Sequence, residues 1–153
     1  MRKSLEAWRA ERSKHLRSLP RIEQAVDRAV DEALRFDRPE GVKHAELDGT
    51  LRPVWWDAYR RKQTYFSYDG VSYAVYDASG RAWPPQVCVD LVLDTYERAS
   101  GTWFTARGEG PRRVTGGLDF DTYGIVNRRG VLAFEQFASK HPELFETRRF
   151  EGA

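Results

Sequence analysis

The chain has 153 residues, a usual length for one folded domain, and its 25 lysines and arginines against 23 aspartates and glutamates leave a net charge of only +2. So small a basic excess argues against a dedicated nucleic-acid-binding protein, and a hydrophobic content of 41% argues against wholesale disorder. A single cysteine excludes an internal disulfide and a cysteine-based zinc site, and with only three histidines we predict neither a metal nor a cofactor.

No apolar run is long enough to cross a membrane, and none follows Met1-Arg2-Lys3, where a secretory signal would carry one. The sequence leaves the location open between the cytoplasm and, with a signal removed, the periplasm or the exterior. We expect a single domain, with a helical segment over residues 1–41 and an α+β part over residues 42–153.

Two helices are predicted in the N-terminal segment. Leu5, Trp8 and Leu16 share one side of the first helix. Pro20 breaks that pattern and can stand in the first turn of a second helix. Apolar residues then recur at helical spacing, and they are Ile22, Ala25, Val26, Ala29, Val30, Ala33 and Leu34. The stretch 37–41 ends this helix.

The next part of the chain contains a clear hairpin signal. Residues 42–63 are mixed in character, and of the neighbouring Trp55 and Trp56 we expect one to pack inward and the other to cover the domain edge, with stacking on a sugar as the alternative. Two runs rich in β-forming residues follow over 64–76 and flank Asp69-Gly70. A two-residue Asp-Gly loop between such runs predicts a β-hairpin.

A central helix carrying the cysteine is predicted after Pro84-Pro85, with Gly101 at its end. Apolar residues surround most of its circumference, which is typical of a buried helix. We expect Leu91 and Val92 to be buried and Asp90 and Asp94 to face solvent or a polar partner. We also expect the hairpin to pack against this helix, because neither element can bury its apolar surface alone.

The remaining segments complete an α+β fold. Residues 102–105 predict a short strand, and 106–117 a loop without a nucleotide-binding glycine pattern. Asp119 and Asp121 suit a turn or a cap. Asn127 can cap a last helix, which Pro142 ends. A weaker hypothesis assigns a nucleic-acid contact to the arginines of this part, namely Arg107, Arg112, Arg113, Arg128 and Arg129.

Cys88 is the residue with the most chemical potential. It lies three residues after Pro85, at the start of the predicted central helix. A helix N-terminus presents unpaired N–H groups and about half a positive charge, and both favour a thiolate nucleophile and can stabilise an oxyanion. The alternative is a space-filling cysteine, since free cysteine is among the most buried residue types.

The segment around Cys88 resembles the NlpC-type papain-like cysteine peptidases and amidases, especially their uncharacterised bacterial branch. The likeness covers about residues 64–104 and consists of a hairpin, a loop and a Cys-x-Asp-φ-φ segment, where φ is apolar, at positions 88–92. It implies a papain-like fold, incomplete in this chain, with Cys88 as nucleophile of a peptide or cell-wall amidase. It further implies that Tyr76 helps to form the oxyanion hole, with Tyr73 as a competitor.

The chain departs from this family at the general base. Only His141 follows Cys88, at a helix end where a structural role is expected, so it is at best a weak candidate for the base. His15 and His44 precede Cys88, in the wrong order. We expect none of the three to lie within hydrogen-bond reach of Cys88.

Two interpretations follow. In the first, the chain is the N-terminal piece of a longer or processed cysteine hydrolase, whose base comes from elsewhere, such as a C-terminal fragment or a second chain that completes the fold. In the second, it is an inactive relative, a non-catalytic interaction module that binds a protein partner through its helical third or an open sheet edge.

Overall fold

The computed structural model describes residues 19–39, 49–125 and 127–145, and the first predicted helix therefore lies outside the described residues. The described part has a mixed α+β architecture, as predicted, with two separate antiparallel strand pairs. Its elements in chain order are α1 (Leu19–Asp31), α2 (Leu51–Arg60), β1 (Tyr65–Tyr68), β2 (Val71–Ala74), α3 (Cys88–Ala99), β3 (Trp103–Phe104), β4 (Arg113–Val114) and α4 (Val131–Lys140). None of the described helices combines the length and the apolar character needed to span a bilayer.

Helix α1 confirms the second predicted helix and packs on α3. Ala25 and Ala29 are buried, whereas Val26 is 41% and Val30 71% exposed, so the buried stripe is narrower than the sequence pattern. The helix ends at Asp31, two residues before Ala33, whose backbone is left-handed at φ 45°. The next residues run extended, and Phe36 pairs with Gln86 just before α3.

Helix α2 was not predicted from the sequence. It has only three turns, and polar residues interrupt its apolar ones, so no helical spacing of apolar residues is visible. Asp37 stabilises its start from a distance. The Asp37 carboxylate accepts the N–H of Leu51 at 2.6 Å and the N–H of Arg52 at 3.1 Å. A carboxylate at a helix N-terminus satisfies unpaired N–H groups and interacts favourably with the helix dipole. Tertiary contact therefore replaces the local cap that a sequence search would look for.

The hairpin is confirmed. Asp69 and Gly70 both have positive φ, 50° and 77°, as a tight two-residue turn requires, and Phe66 pairs with Tyr73 across the strands. The hairpin packs on α2 and shares its core, which includes no residue of the Cys88 helix, so the prediction that it packs against that helix is wrong. Helix α2 offers it an apolar surface. The buried members of this first core are Leu51, Trp55, Ala58, Tyr59, Phe66, Tyr73, Val75 and Ala82.

Trp55 and Trp56 divide their roles as expected. Trp55 is completely buried, and its indole N–H donates to the carbonyl of Val75 at 2.9 Å. Trp56 is half-buried at the edge of the same core, with its ring 5.5 Å from that of Phe104. The pair therefore anchors α2 and also supplies one partly exposed aromatic surface.

A second core joins α3 to α4. Its buried residues are Val89, Leu93, Phe120 and Phe137. Helix α4 follows Gly130, so the predicted capping role of Asn127 is wrong: its side-chain oxygen accepts the N–H of Arg129 at 3.1 Å in the preceding turn. The helix ends before Pro142, as predicted.

Candidate functional site

Cys88 is the first residue of α3, and it is exposed. The residue before the helix is Val87, whose side chain cannot accept a hydrogen bond. Within the described residues, the backbone N–H groups of Cys88, Val89 and Asp90 have no acceptor. The thiol therefore stands beside unpaired donors at a helix N-terminus, as a nucleophile near an oxyanion site would.

Helix α3 faces the opposite way from the one expected, with its apolar residues near Cys88 exposed and its carboxylates buried. Leu91 and Val92 are 43% and 42% exposed, whereas Asp90 and Asp94 are 0% and 1% exposed. The expectation that Leu91 and Val92 are buried is therefore wrong, while the expectation that Asp90 and Asp94 meet polar partners is confirmed. Residues three and four positions apart share a helix face, so Leu91 and Val92 lie beside the thiol.

Arginines from three other parts of the chain hold the acidic face of α3. Asp94 accepts hydrogen bonds from Arg52 of α2 at 2.7 and 2.8 Å, from Arg128 at 3.0 Å and from Gln86 at 2.5 Å. Arg128 also binds Glu97 at 2.5 and 2.9 Å. We call the whole set the ion-pair network, and its members are Asp37, Arg52, Asp90, Asp94, Glu97, Arg113, Asp119, Asp121, Arg128 and Arg129.

Asp90 and Asp94 lie one turn apart on α3, and their pKa values shift in opposite directions. Burial raises the pKa of Asp90, and Arg52, the Val87 N–H and Arg129 offset only part of this effect. Burial also acts to raise the pKa of Asp94, but Arg52, Arg128 and Gln86 outweigh it and hold the pKa below its ordinary value. The difference follows from the number of strong donors that each carboxylate receives.

Asp90 is the less satisfied of the two. Its Oδ2 accepts the N–H of Val87 at 3.0 Å and lies 2.8 Å from a guanidinium nitrogen of Arg129. Its Oδ1 is buried and has no hydrogen-bond partner among the described residues. Carboxylates at positions 90, 94 and 97 share one face of the helix and repel each other unless cations lie beside them. This spacing is the sequence signal that could have revealed the network.

An open cleft lies against this network. It has a volume of about 310 Å³, and we call it the aromatic cleft. Its lining residues are Arg52, Pro53, Trp55, Trp56, Asp90, Phe104, Arg113, Asp121, Arg128 and Arg129. Sequence reasoning missed this cleft, because its walls come from five separate stretches of the chain that only the tertiary fold brings together.

The structure places the other predicted catalytic residues in contacts of their own. The ring of Tyr76 lies 5.9 Å from that of Tyr59. Burial raises the pKa of Tyr76, and the neighbouring Tyr59 raises it further by a smaller amount. His141 contacts Glu143 through its Nδ1 at 2.8 Å. Across the described residues, no hydrogen bond, ion pair or ring contact joins either side chain to Cys88. His15 and His44 lie outside the described residues.

The arginines of the weaker nucleic-acid hypothesis divide into two groups. Arg113, Arg128 and Arg129 are engaged by carboxylates of the ion-pair network. Arg107 and Arg112 are exposed. Since a phosphate contact needs a free guanidinium, three of the five candidate arginines are poorly placed for one.

No family model, curated protein or solved structure matches this chain. The resemblance to the NlpC-type peptidases therefore stays a prediction.

Proposed function

We propose that this chain carries the nucleophile of a cysteine hydrolase that acts on a peptide or cell-wall amide bond. The observation that carries the proposal is the exposed thiol of Cys88 at the first position of α3, beside three backbone N–H groups that have no acceptor in the part of the chain that the structure describes. Free cysteines are usually buried, so an exposed one on a firmly held helix end is unusual.

In this proposal the Cys88 thiolate attacks the carbonyl carbon of the scissile amide. The negative charge that develops on the carbonyl oxygen is stabilised by the N–H groups at the start of α3. The amine leaves with a proton from a general acid, and water then releases the acyl group. The base that activates the thiol comes from a residue that does not contact Cys88 in the described structure. The exposed Leu91 and Val92 offer an apolar surface beside the thiol, on which the segment carrying that base can pack.

The first step can be tested without the base. An activated thioester acylates a cysteine by exchange: the thiolate attacks the thioester carbonyl, a new C–S bond forms, and the original thiolate leaves. We expect Cys88 in the folded chain to be acylated several times faster at pH 7 than the same cysteine in a peptide of residues 86–92. Intact-mass measurement reports the adduct, and Cys88→Ser serves as the control.

Equal or slower acylation in the folded chain would contradict the proposal, because the helix terminus would then give no assistance. Amide hydrolysis by the chain alone is expected to be negligible, since a positioned base typically contributes 10²–10⁴-fold.

The second candidate function is an interaction module, and the exposed apolar pair Leu91 and Val92 favours it. In that case Cys88→Ala leaves binding intact, whereas Leu91→Glu removes it. Sedimentation at increasing concentration, which measures association with a second copy of the chain, tests this on wild type and on both variants.

A further inference from the structure

A second open cleft lies near the end of α3 that is farther from Cys88. Its volume is about 360 Å³, within the size range of small-ligand sites, and we call it the arginine cleft. Arg98 lines it, ten positions after Cys88 on the same helix, which places the two about 15 Å apart along the helix axis. What this cleft binds is therefore a question separate from the proposed hydrolase.

The charged residues that line the arginine cleft leave two cations unmatched. They are three arginines and one glutamate, namely Arg28, Arg81, Arg98 and Glu32. Glu32 and Arg98 form an ion pair at 2.7 Å with side chains 6% and 8% exposed, so their charges cancel below the surface. Arg28 and Arg81 remain, and no second carboxylate of the described structure lines the cleft. The positive excess comes from the lining itself, where an incoming anion meets it.

Both of these arginines have N–H groups free to bind a ligand. Arg28 is exposed on α1, and its guanidinium has no hydrogen bond or ion pair elsewhere in the described part of the chain. Arg81 is 51% exposed; its Nε donates to Asp77 at 2.8 Å, and one terminal nitrogen lies 3.5 Å from Glu32. Its other terminal nitrogen has no partner among the described residues. Asp77 and, more weakly, Asp31 offset part of the Arg81 charge, but neither lines the cleft.

The other half of the lining is apolar, and its residues are Ala82, Trp103, Phe104 and Ala106. Trp103 is half-buried, and the guanidinium of Arg98 lies over its ring at 4.2 Å from the centre. Because Arg98 is held by both Glu32 and Trp103, this part of the wall is fixed before a ligand arrives. An apolar wall beside two free cations suits a ligand with an anionic head and a small apolar body.

Two guanidiniums in one cleft favour a phosphate over a carboxylate. A guanidinium presents parallel N–H donors that match the oxygens of either anion. A carboxylate has one charge and two oxygens, which a single arginine can occupy. A phosphate monoester carries a charge of about −1.5 to −2 at pH 7 and has three terminal oxygens, so it can use Arg28 and Arg81 together.

We propose that the arginine cleft binds the phosphate group of a small phosphate monoester. The phosphate oxygens accept hydrogen bonds from Arg28 and Arg81, and the apolar body of the ligand lies against Trp103 and Ala106. Inorganic phosphate offers the same charged group without the body, so the two sources are distinguished by titrating each.

The test titrates phenyl phosphate, benzenesulfonate, benzyl alcohol and inorganic phosphate into the folded chain at one ionic strength, while the indole N–H resonances are followed by NMR. Phenyl phosphate and benzenesulfonate share a ring and a tetrahedral head, but the sulfonate carries only one charge. We expect phenyl phosphate to bind at least about fivefold more tightly than benzenesulfonate, and benzyl alcohol to bind more weakly than both. The resonance that shifts should be the one absent in Trp103→Phe.

Arg28→Gln removes an exposed guanidinium that has no partner within the described residues, so the variant is expected to fold. It should weaken phenyl phosphate by about tenfold, as the loss of a hydrogen bond to a charged group does. Arg61→Gln is the control, because Arg61 is 68% exposed and does not line the cleft, and it should leave the affinity unchanged. Circular dichroism and the melting temperature show that each variant is folded.

Equal weakening by Arg28→Gln and Arg61→Gln would overturn the proposal, because binding would then follow the net charge and not the cleft. Binding of benzenesulfonate or benzyl alcohol as tight as that of phenyl phosphate would also overturn it, as would the absence of a saturable shift at Trp103 with phenyl phosphate. Tighter binding of inorganic phosphate than of phenyl phosphate would support the phosphate site and assign it to the free ion.

Discussion

Replacing Asp94 with asparagine tests the central role of the ion-pair network. Its carboxylate is 1% exposed, and the side chains of its partners Arg52 and Arg128 are 12% and 19% exposed. Asparagine has almost the same shape, so the substitution removes the charge and little else. Arg128 keeps Glu97, whereas Arg52 keeps no hydrogen-bonded carboxylate within the described residues.

The expected cost is large because one partner of a buried ion pair is left uncompensated, which typically destabilises a protein by about 3–5 kcal/mol. For a chain of about 150 residues, each kcal/mol lowers the melting temperature by roughly 2–4 °C, so a decrease of about 6–20 °C is expected. Urea unfolding followed by tryptophan fluorescence gives the free energy directly, and an unchanged m-value shows that the unfolded state is not altered.

Asp57→Asn is the matched control. Its carboxylate is 45% exposed and contacts Arg61 at 3.0 Å on the surface of α2. Exposed pairs of this kind contribute about 0–1 kcal/mol. If Asp94→Asn cost no more than Asp57→Asn, the network would be no more important for stability than a surface ion pair, and it would not be what holds the acidic face of α3 inward.

Three further predictions concern stability. On α3, Leu93 is completely buried and Leu91 is 43% exposed. Leu93→Ala should therefore lower the free energy of unfolding in urea by about 2–5 kcal/mol, and Leu91→Ala by less than about 1 kcal/mol. Equal costs would contradict the observed orientation of α3, with Leu93 inward and Leu91 outward. A Cβ on Gly116 would lie 2.3 Å from the Ser100 carbonyl oxygen, whereas one on Gly117 meets nothing closer than 3.9 Å. Gly116→Ala should therefore cost about 1–3 kcal/mol and Gly117→Ala much less, as the melting temperatures would show. Since the folded pKa of Asp90 is raised, the folded state binds that proton more tightly, and stability should fall as pH rises through the folded value. The melting temperature of Asp90→Asn minus that of wild type should accordingly increase from about pH 4 to pH 7, and a constant difference would refute this.

The elements with a strong local signal could be predicted from the sequence. The Asp69-Gly70 turn between two β-rich runs specifies the hairpin, because both residues tolerate positive φ. The start of α3 after Pro85 and the end of α4 before Pro142 follow from the restricted backbone of proline. In each case the information lies within a few residues of the element that it determines.

The elements that depend on distant partners could not be predicted. Helix α2 begins where Asp37, fourteen residues earlier than Leu51, accepts its first N–H groups. The hairpin packs on α2, an element that local periodicity did not reveal. The aromatic cleft needs Trp56, Phe104 and Arg128 to meet, and nothing in their spacing along the chain indicates that they do.

The orientation of α3 explains why Cys88 is exposed at all. With about 100° per residue, Asp90 and Glu97 lie roughly 160–180° around the helix from Cys88. A helix turned so that its carboxylates faced water, as its composition suggests, would carry the thiol into the protein interior. Arg52, Arg128 and the other network arginines draw the acidic face inward, and the same rotation brings out the thiol together with Leu91 and Val92. The burial of the network and the exposure of the Cys88 thiol therefore both follow from the same orientation of α3.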